Sequence, residues 1–185
     1  LWGGPAEAQQ AQLRAEANAN TVSIITGSPS GTYILFAHDM SSVLDKPSPG
    51  LRVLPMLGKG SVQNVRDILF LRGVDMGIVQ SDVMRHFKDT GELGRDIQRR
   101  LVYITKLYNE EFHIVANKDI KDLNDLAGKK VNFDTNGSGT QFSARIIFGL
   151  LGLKVEEVNV PQNDGLEQVK NGQIAATLFV AGRPA

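Results

Sequence analysis

Three short apolar runs near one end of the chain, at residues 21–25, 51–57 and 76–79, are each followed by a stretch with helical spacing. That alternation constrains the fold more than any other feature. A strand that returns to the same sheet after a helix does so as a parallel neighbour, through a right-handed crossover. Thr21, Val22, Ile24 and Ile25 precede Thr26 and Gly27, which predicts a short buried strand ending in a glycine turn, with a helix over residues 32–44. Pro47, Pro49 and Gly50 interrupt the chain before Leu51, Val53, Leu54, Met56 and Leu57. The near-continuous apolar character of that run suits a parallel strand covered on both faces, and Pro55 places it at an edge or a bend. Val62, Val65, Ile68 and Leu69 recur at helical spacing up to Gly73, and Met76, Ile78 and Val79 supply a third strand. The predicted order is βαβαβ.

The alternation lapses at residues 101–116, where two apolar runs, 101–107 and 112–116, adjoin with no helix between them. A crossing between two lobes is expected there. Beyond it the architecture repeats without the sequence repeating. A strand is predicted at 131–133 and a helix at 140–151, with Phe142, Ile146, Ile147, Leu150 and Leu151 facing inward and Gly152 past its end. Val158 and Val160 mark another strand. Residues 164–171 form another helix, with Asp164 and Glu167 at capping-box spacing and Gly172 closing it, and 175–180 form the last strand. The expected division is a leader at 1–20, a first α/β lobe at 21–111, a hinge crossing at 112–118 and a second α/β lobe at 119–185.

Composition narrows the function classes. The 185 residues are 42% hydrophobic and 22% charged, an ordinary globular balance. Twenty Lys and Arg match twenty Asp and Glu, scattered so that no basic stripe awaits a nucleic acid. With no cysteine, thiol catalysis and thiolate metal sites are excluded. Ala6, Glu7 and Ala8 have the small-x-small pattern that signal peptidase reads, consistent with the stub of a secretory signal or with a plain Ala/Gln-rich leader. No apolar stretch approaches the ~20 residues of a membrane span.

Four strand-to-helix junctions carry glycine and small hydroxyl residues: 27–32, 58–61, 80–82 and 136–140. Each opens a helix whose first N–H groups lack intrahelical partners and carry partial positive charge, so each is a potential anion seat. Taken singly, such a loop also reads as an N-cap with a flexible turn. Four together, split between two α/β halves, favour a shared cleft. Enzyme signatures are missing. Pro29 occupies the nucleophile position of a G-x-S-x-G reading of 27–31, and the phosphate-loop register is absent at 58–61 and 137–140. His38 and His86 read as helix-surface residues and His113 as a structural histidine, with no zinc-ligand pairing among them.

The segments 26–33, 60–64, 74–82, 126–131, 137–140 and 179–184 together resemble the TAXI solute receptors of TRAP transporters, a branch of the type II periplasmic-binding-protein fold, over residues 21–185. The chain departs from that family after Tyr33. The family continues there with a second aromatic residue and a proline, whereas this chain has Ile34, Leu35 and Phe36. Family members also run on past the segment matching Pro184, so the chain reads as C-terminally truncated, an incomplete folding unit with impaired ligand binding.

The resemblance implies an extracytoplasmic flytrap that closes on a small anionic solute, an amino acid or dicarboxylate, and presents it to the membrane subunits of the transporter, without covalent chemistry or a cofactor. Ser28, Gly31, Thr32, Tyr33, Gly60, Ser61, Gln80 and Ser81 are expected to line the cleft from the first lobe. Ser138, Gly139 and Thr140 are expected from the second, with Arg183 as a two-point carboxylate clamp or a solvated surface residue. A transcriptional co-inducer domain and an enzyme on the same fold are the rival classes.

Overall fold

The computed structural model describes residues 5–46 and 50–182. Its first element, α1 (Pro5–Asn18), lies where the leader was expected. Ala and Gln favour helix, but every described side chain along it is exposed, so it buries no face. The predicted βαβαβ unit follows as β1 (Thr21–Ile25), α2 (Thr32–Leu44), β2 (Arg52–Met56), α3 (Ser61–Phe70) and β3 (Met76–Gly77). The three strands form a parallel sheet in the order β2-β1-β3. Pro55 is on the edge strand opposite Ile24, where its missing N–H interrupts no inner ladder.

β3 is short because α3 passes close over it. A Cβ on Gly77 would lie 2.7 Å from Ile68 and 2.8 Å from Ile25, so glycine is what allows the approach. The buried Asn64 side chain then donates to the Ile78 carbonyl at 2.8 Å and fixes α3 to the end of β3. Ile24, Tyr33, Ala37, Val53 and Ile78 form one core cluster beneath α2. Next come α4 (Ser81–Thr90) and α5 (Ile97–Arg100), whose buried Val83, Phe87 and Ile97 pack on Val65 in a second cluster.

Residues 101–110 then run without regular structure, and Val102, Tyr103 and Ile104 are exposed despite their apolar character. Most of the expected crossing at 112–118 is β4 (Glu111–Ala116), which pairs antiparallel along its whole length with β7 (Ala176–Ala181). A 3-10 turn at Leu123–Leu126, β5 (Lys130–Asn132), α6 (Gly139–Leu150), β6 (Glu156–Val158) and α7 (Gln162–Lys170) complete the second sheet, ordered β4-β7-β5-β6. Its core is built from Leu126, Val131, Phe133, Ala144, Phe148, Ala176 and Leu178.

Two local expectations are corrected. The inner stripe of α6 is Thr140, Ala144 and Phe148, spaced four apart, whereas Ile146, Leu150 and Leu151 are exposed. The Ser138 cap sets the helix phase, and apolar residues spread over more than one face, so counting them misplaces the stripe. Asp164 and Glu167 form no capping box, because α7 starts two residues earlier, behind Pro161. The box belongs to Asp122 and Asp125, at the 3-10 turn.

The two sheets meet through their helices. Phe142 of α6 packs against the α3–α4 cluster, and the Gln63 N–H donates to the Gly137 carbonyl at 3.1 Å. Among the described residues no helix is long and apolar enough to cross a membrane.

Candidate functional site

The exits of β1 and β2 are held close together. Gly58 N–H donates to the Gly27 carbonyl at 3.1 Å, and a Cβ on Gly58 would come within 2.6 Å of the Thr26 carbonyl oxygen. The β2–α3 loop then turns through Gly60, at φ 105°, a backbone region that favours glycine. At that point it lies against the β5–α6 loop, since a Cβ on Gly60 would be 3.3 Å from Ser138 Cα. Loops from both sheets thereby enclose one pocket.

Ser28, Gly31, Thr32, Tyr33, Gly60, Ser61 and Gln80 line this pocket from the first sheet, and Ser138, Gly139 and Thr140 from the second. Ser81 is exposed and outside the lining, because it begins α4 on the solvent side of Gln80. Arg183 lies outside the described residues.

The hydroxyls are largely committed to holding loops. Ser61 Oγ accepts the Gln80 N–H at 3.0 Å and lies 3.0 Å from the Tyr33 hydroxyl, which joins three junctions at one buried atom. Ser138 Oγ caps α6 by accepting the Gln141 N–H at 3.1 Å. Thr140 Oγ1 accepts the Val180 N–H at 3.2 Å, tying α6 to β7. By contrast, α2 and α3 begin at Gly31 and Gly60 with no side chain over their first N–H groups. Those two helix ends therefore keep first-turn N–H groups that no side chain caps, with the partial positive charge of a helix start.

Sequence reasoning missed the pocket's acidic groups. Tyr108, Glu110, Asp134 and Gln162 also line it, as does the exposed Lys59. Tyr108 stacks on Phe36, with ring centroids 4.7 Å apart, and donates to Glu110 at 3.1 Å. Burial holds the Glu110 carboxyl above the ordinary range, against the opposing pull of hydrogen bonds from Tyr33, Tyr108 and Gln80. Burial and the neighbouring Glu110 charge push both tyrosine hydroxyls upward as well.

Asp134 follows β5 with a left-handed backbone at φ 68°, uncommon for a residue with a side chain. Asn132 stabilises the turn by accepting the N–H groups of Asp134 and Val160. Burial raises the Asp134 carboxyl too, opposed by the Thr135 N–H at 2.7 Å and by Gln162 and Thr140. The available signals were Asp134 at the end of a strand and Glu110 as an acid between two apolar runs. His38, His86 and His113 are not in the lining, and no cluster of three or more metal-ligating side chains occurs among the described residues.

A sequence profile of the NMT1-like family matches residues 24–185, nearly all of the chain. The chain belongs to the NMT1-like family. Its fold is that of the periplasmic binding proteins. Superposition on the periplasmic aliphatic sulphonate binding protein SsuA from Escherichia coli gives a TM-score of 0.53 at 22% identity, covering 87% of this chain and 51% of SsuA, so the chain spans about half of SsuA's length. An ancestral arginine-binding protein bound to arginine matches with a TM-score of 0.56 at 18% identity, covering 87% of this chain and 70% of that one. The effector binding domain of QuiR in complex with shikimate matches at 0.60 and 12% identity, covering 88% and 74%. In this NMT1-like chain the pocket lies where two α/β units face one another, the arrangement in which open α/β sheets place ligands beyond the carboxyl ends of their strands.

Proposed function

We propose that the protein is an extracytoplasmic solute receptor of a TRAP-type secondary transporter of the TAXI kind, and that it binds a small carboxylate between two lobes. The lobes are the α/β units at residues 21–111 and 119–185, hinged through residues 112–118. The observation that carries this reading is the meeting of three glycine-rich helix starts, those of α2, α3 and α6, on one pocket from both sides. Backbone N–H groups in a water-excluding cleft recognise an anionic group without any reactive side chain.

Binding, rather than turnover, is the activity. Ligand contact with both lobes favours the closed form, which the membrane subunits of the transporter then recognise. The similarity to periplasmic binding proteins supports the extracytoplasmic location.

The test is a thermal-shift screen of the full-length protein against amino acids and dicarboxylates, followed by calorimetry on any compound that raises the melting temperature. Thr32→Ala and Thr140→Ala are expected to weaken binding of that compound. Unchanged affinity in both variants would remove the cleft assignment.

A further inference from the structure

The dipeptide Asn-Gly occurs twice in the chain, at Asn136–Gly137 and at Asn171–Gly172. Asparagine followed by glycine is chemically labile, because a glycine carries no side chain to hinder attack by its own backbone nitrogen. That nitrogen bonds to the asparagine Cγ, the side-chain nitrogen leaves as ammonia with the proton the glycine nitrogen gives up, and a cyclic succinimide remains. Water then opens the ring at either carbonyl. The products are aspartate and isoaspartate, the second with one more methylene in the main chain. Ring closure needs both the asparagine side chain and the glycine N–H to be released from other partners.

The two copies differ in how they are held. At Asn136–Gly137 one side chain grips both reacting groups. Gln141, buried at 6% exposure, accepts the Gly137 N–H on Oε1 at 3.0 Å and donates from Nε2 to Asn136 Oδ1 at 2.8 Å. The same Nε2 donates to Glu157 Oε1 at 2.8 Å, and Arg145 donates twice to that carboxylate, so the clamp is itself anchored. Asn136 is exposed to water, yet its ring cannot close until both bonds to Gln141 break. Asn171 is exposed as well, and no hydrogen bond holds its side chain among the described residues. There only the Gly172 N–H is engaged, with the Val169 carbonyl at 3.0 Å at the end of α7, where helices fray.

We infer that Asn171 is a site of spontaneous conversion to aspartate and isoaspartate, and that Gln141 protects Asn136 from the same reaction. The protected position is the one where conversion does harm. The Gly137 carbonyl accepts the Gln63 N–H at 3.1 Å, a contact between the β5–α6 loop and α3. An added methylene at residue 136 would displace that carbonyl and loosen the contact between the two units. At the end of α7 the same change meets no packed neighbour, since nothing lies within 4 Å of a Cβ built on Gly172.

The test ages the full-length protein near neutral pH at physiological temperature. Conversion at both sites is read in one digest, by peptide mass and by labelling with isoaspartyl methyltransferase. Asn136 should convert about tenfold or more slowly than Asn171, the retardation expected when two hydrogen bonds must break together. Gln141→Ala should accelerate Asn136 by about tenfold and leave Asn171 unchanged. Gln141→Met, which keeps the side-chain length and volume but neither bond, replaces it should the alanine variant fold poorly. In urea, where neither site is held, the two rates should converge. Equal rates in the folded unsubstituted protein, or no acceleration of Asn136 in a folded Gln141 variant, would overturn the inference. So would a difference that persists in urea, since the flanking sequence would then account for it.

Discussion

Ser143 Oγ donates to Asp82 Oδ2 at 2.6 Å, and this bond ties α6 of the second sheet to the first turn of α4 beside the first sheet. Asp82 is exposed and Ser143 only half-buried, so the bond contributes little to global stability, about 1 kcal/mol or less. Its leverage is on the relative position of the two sheets. Ser143→Ala is expected to leave the urea midpoint nearly unchanged while favouring a more open form, read as a larger radius of gyration in X-ray scattering. An unchanged radius together with a lowered midpoint would show that the contact is merely structural.

Ser61 occupies the opposite situation. Its buried hydroxyl is shared by Gln80 and Tyr33, so Ser61→Ala leaves the Gln80 N–H and the Tyr33 hydroxyl without that partner. A loss of about 1–3 kcal/mol in urea unfolding is expected. An unchanged midpoint would mean that Gln80 and Tyr33 find other partners.

Two glycines should respond to alanine with opposite signs. At Gly58 the new Cβ would lie 2.6 Å from the Thr26 carbonyl oxygen and 2.9 Å from Asn64 Oδ1, both held by the fold. Gly58→Ala is therefore expected to destabilise by about 1–3 kcal/mol. Gly149, within α6, has nothing inside 4 Å of the built Cβ. Gly149→Ala should stabilise by about 0.5–1 kcal/mol, through helix entropy alone. Thermal melts of both variants check the pair.

The buried acids set a pH dependence whose sign is determined. Glu110 and Asp134 both have folded values raised above their ordinary 4.5 and 3.8, chiefly by burial. A carboxyl that holds its proton more tightly when folded contributes stability below its unfolded value, and that contribution is lost as pH rises through the folded value. Stability of the unliganded protein should therefore fall from pH 4 upward over the range in which these two groups ionise. In Glu110→Gln and Asp134→Asn that fall should be shallower, as measured by denaturant midpoints across pH. Slopes equal to that of the unsubstituted protein would contradict the burial of these groups.

Much of the fold was legible because its signals are local. Val22, Val53 and Ile78 lie in short apolar runs between helices of crossover length, and that pattern admits a parallel sheet and little else. Glycine and hydroxyl residues at strand ends mark where helices begin, so the start of α2 at Thr32 was read from spacing and that of α6 within one residue, at Thr140 against Gly139. The inner stripe of α6 could not, since its phase depends on what packs against it, and Ala144 carries no strong apolar signal. Nor does the apolar run around Val102 announce its exposure, which depends on which neighbours reach it.

What the sequence by itself determined is the α/β architecture and the presence of several glycine-rich helix starts. Both follow from periodicity and turn chemistry within a few residues. Only the tertiary structure decided that Glu110 and Asp134, 24 positions apart, share one pocket with Gln80, whose Oε1 has no donor among the described residues, and that the cleft hydroxyls chiefly brace the loops. Charge and hydrogen-bond satisfaction are properties of surroundings assembled from distant segments. A carboxyl's desolvation and an acceptor's lack of a donor therefore have no signature along the chain.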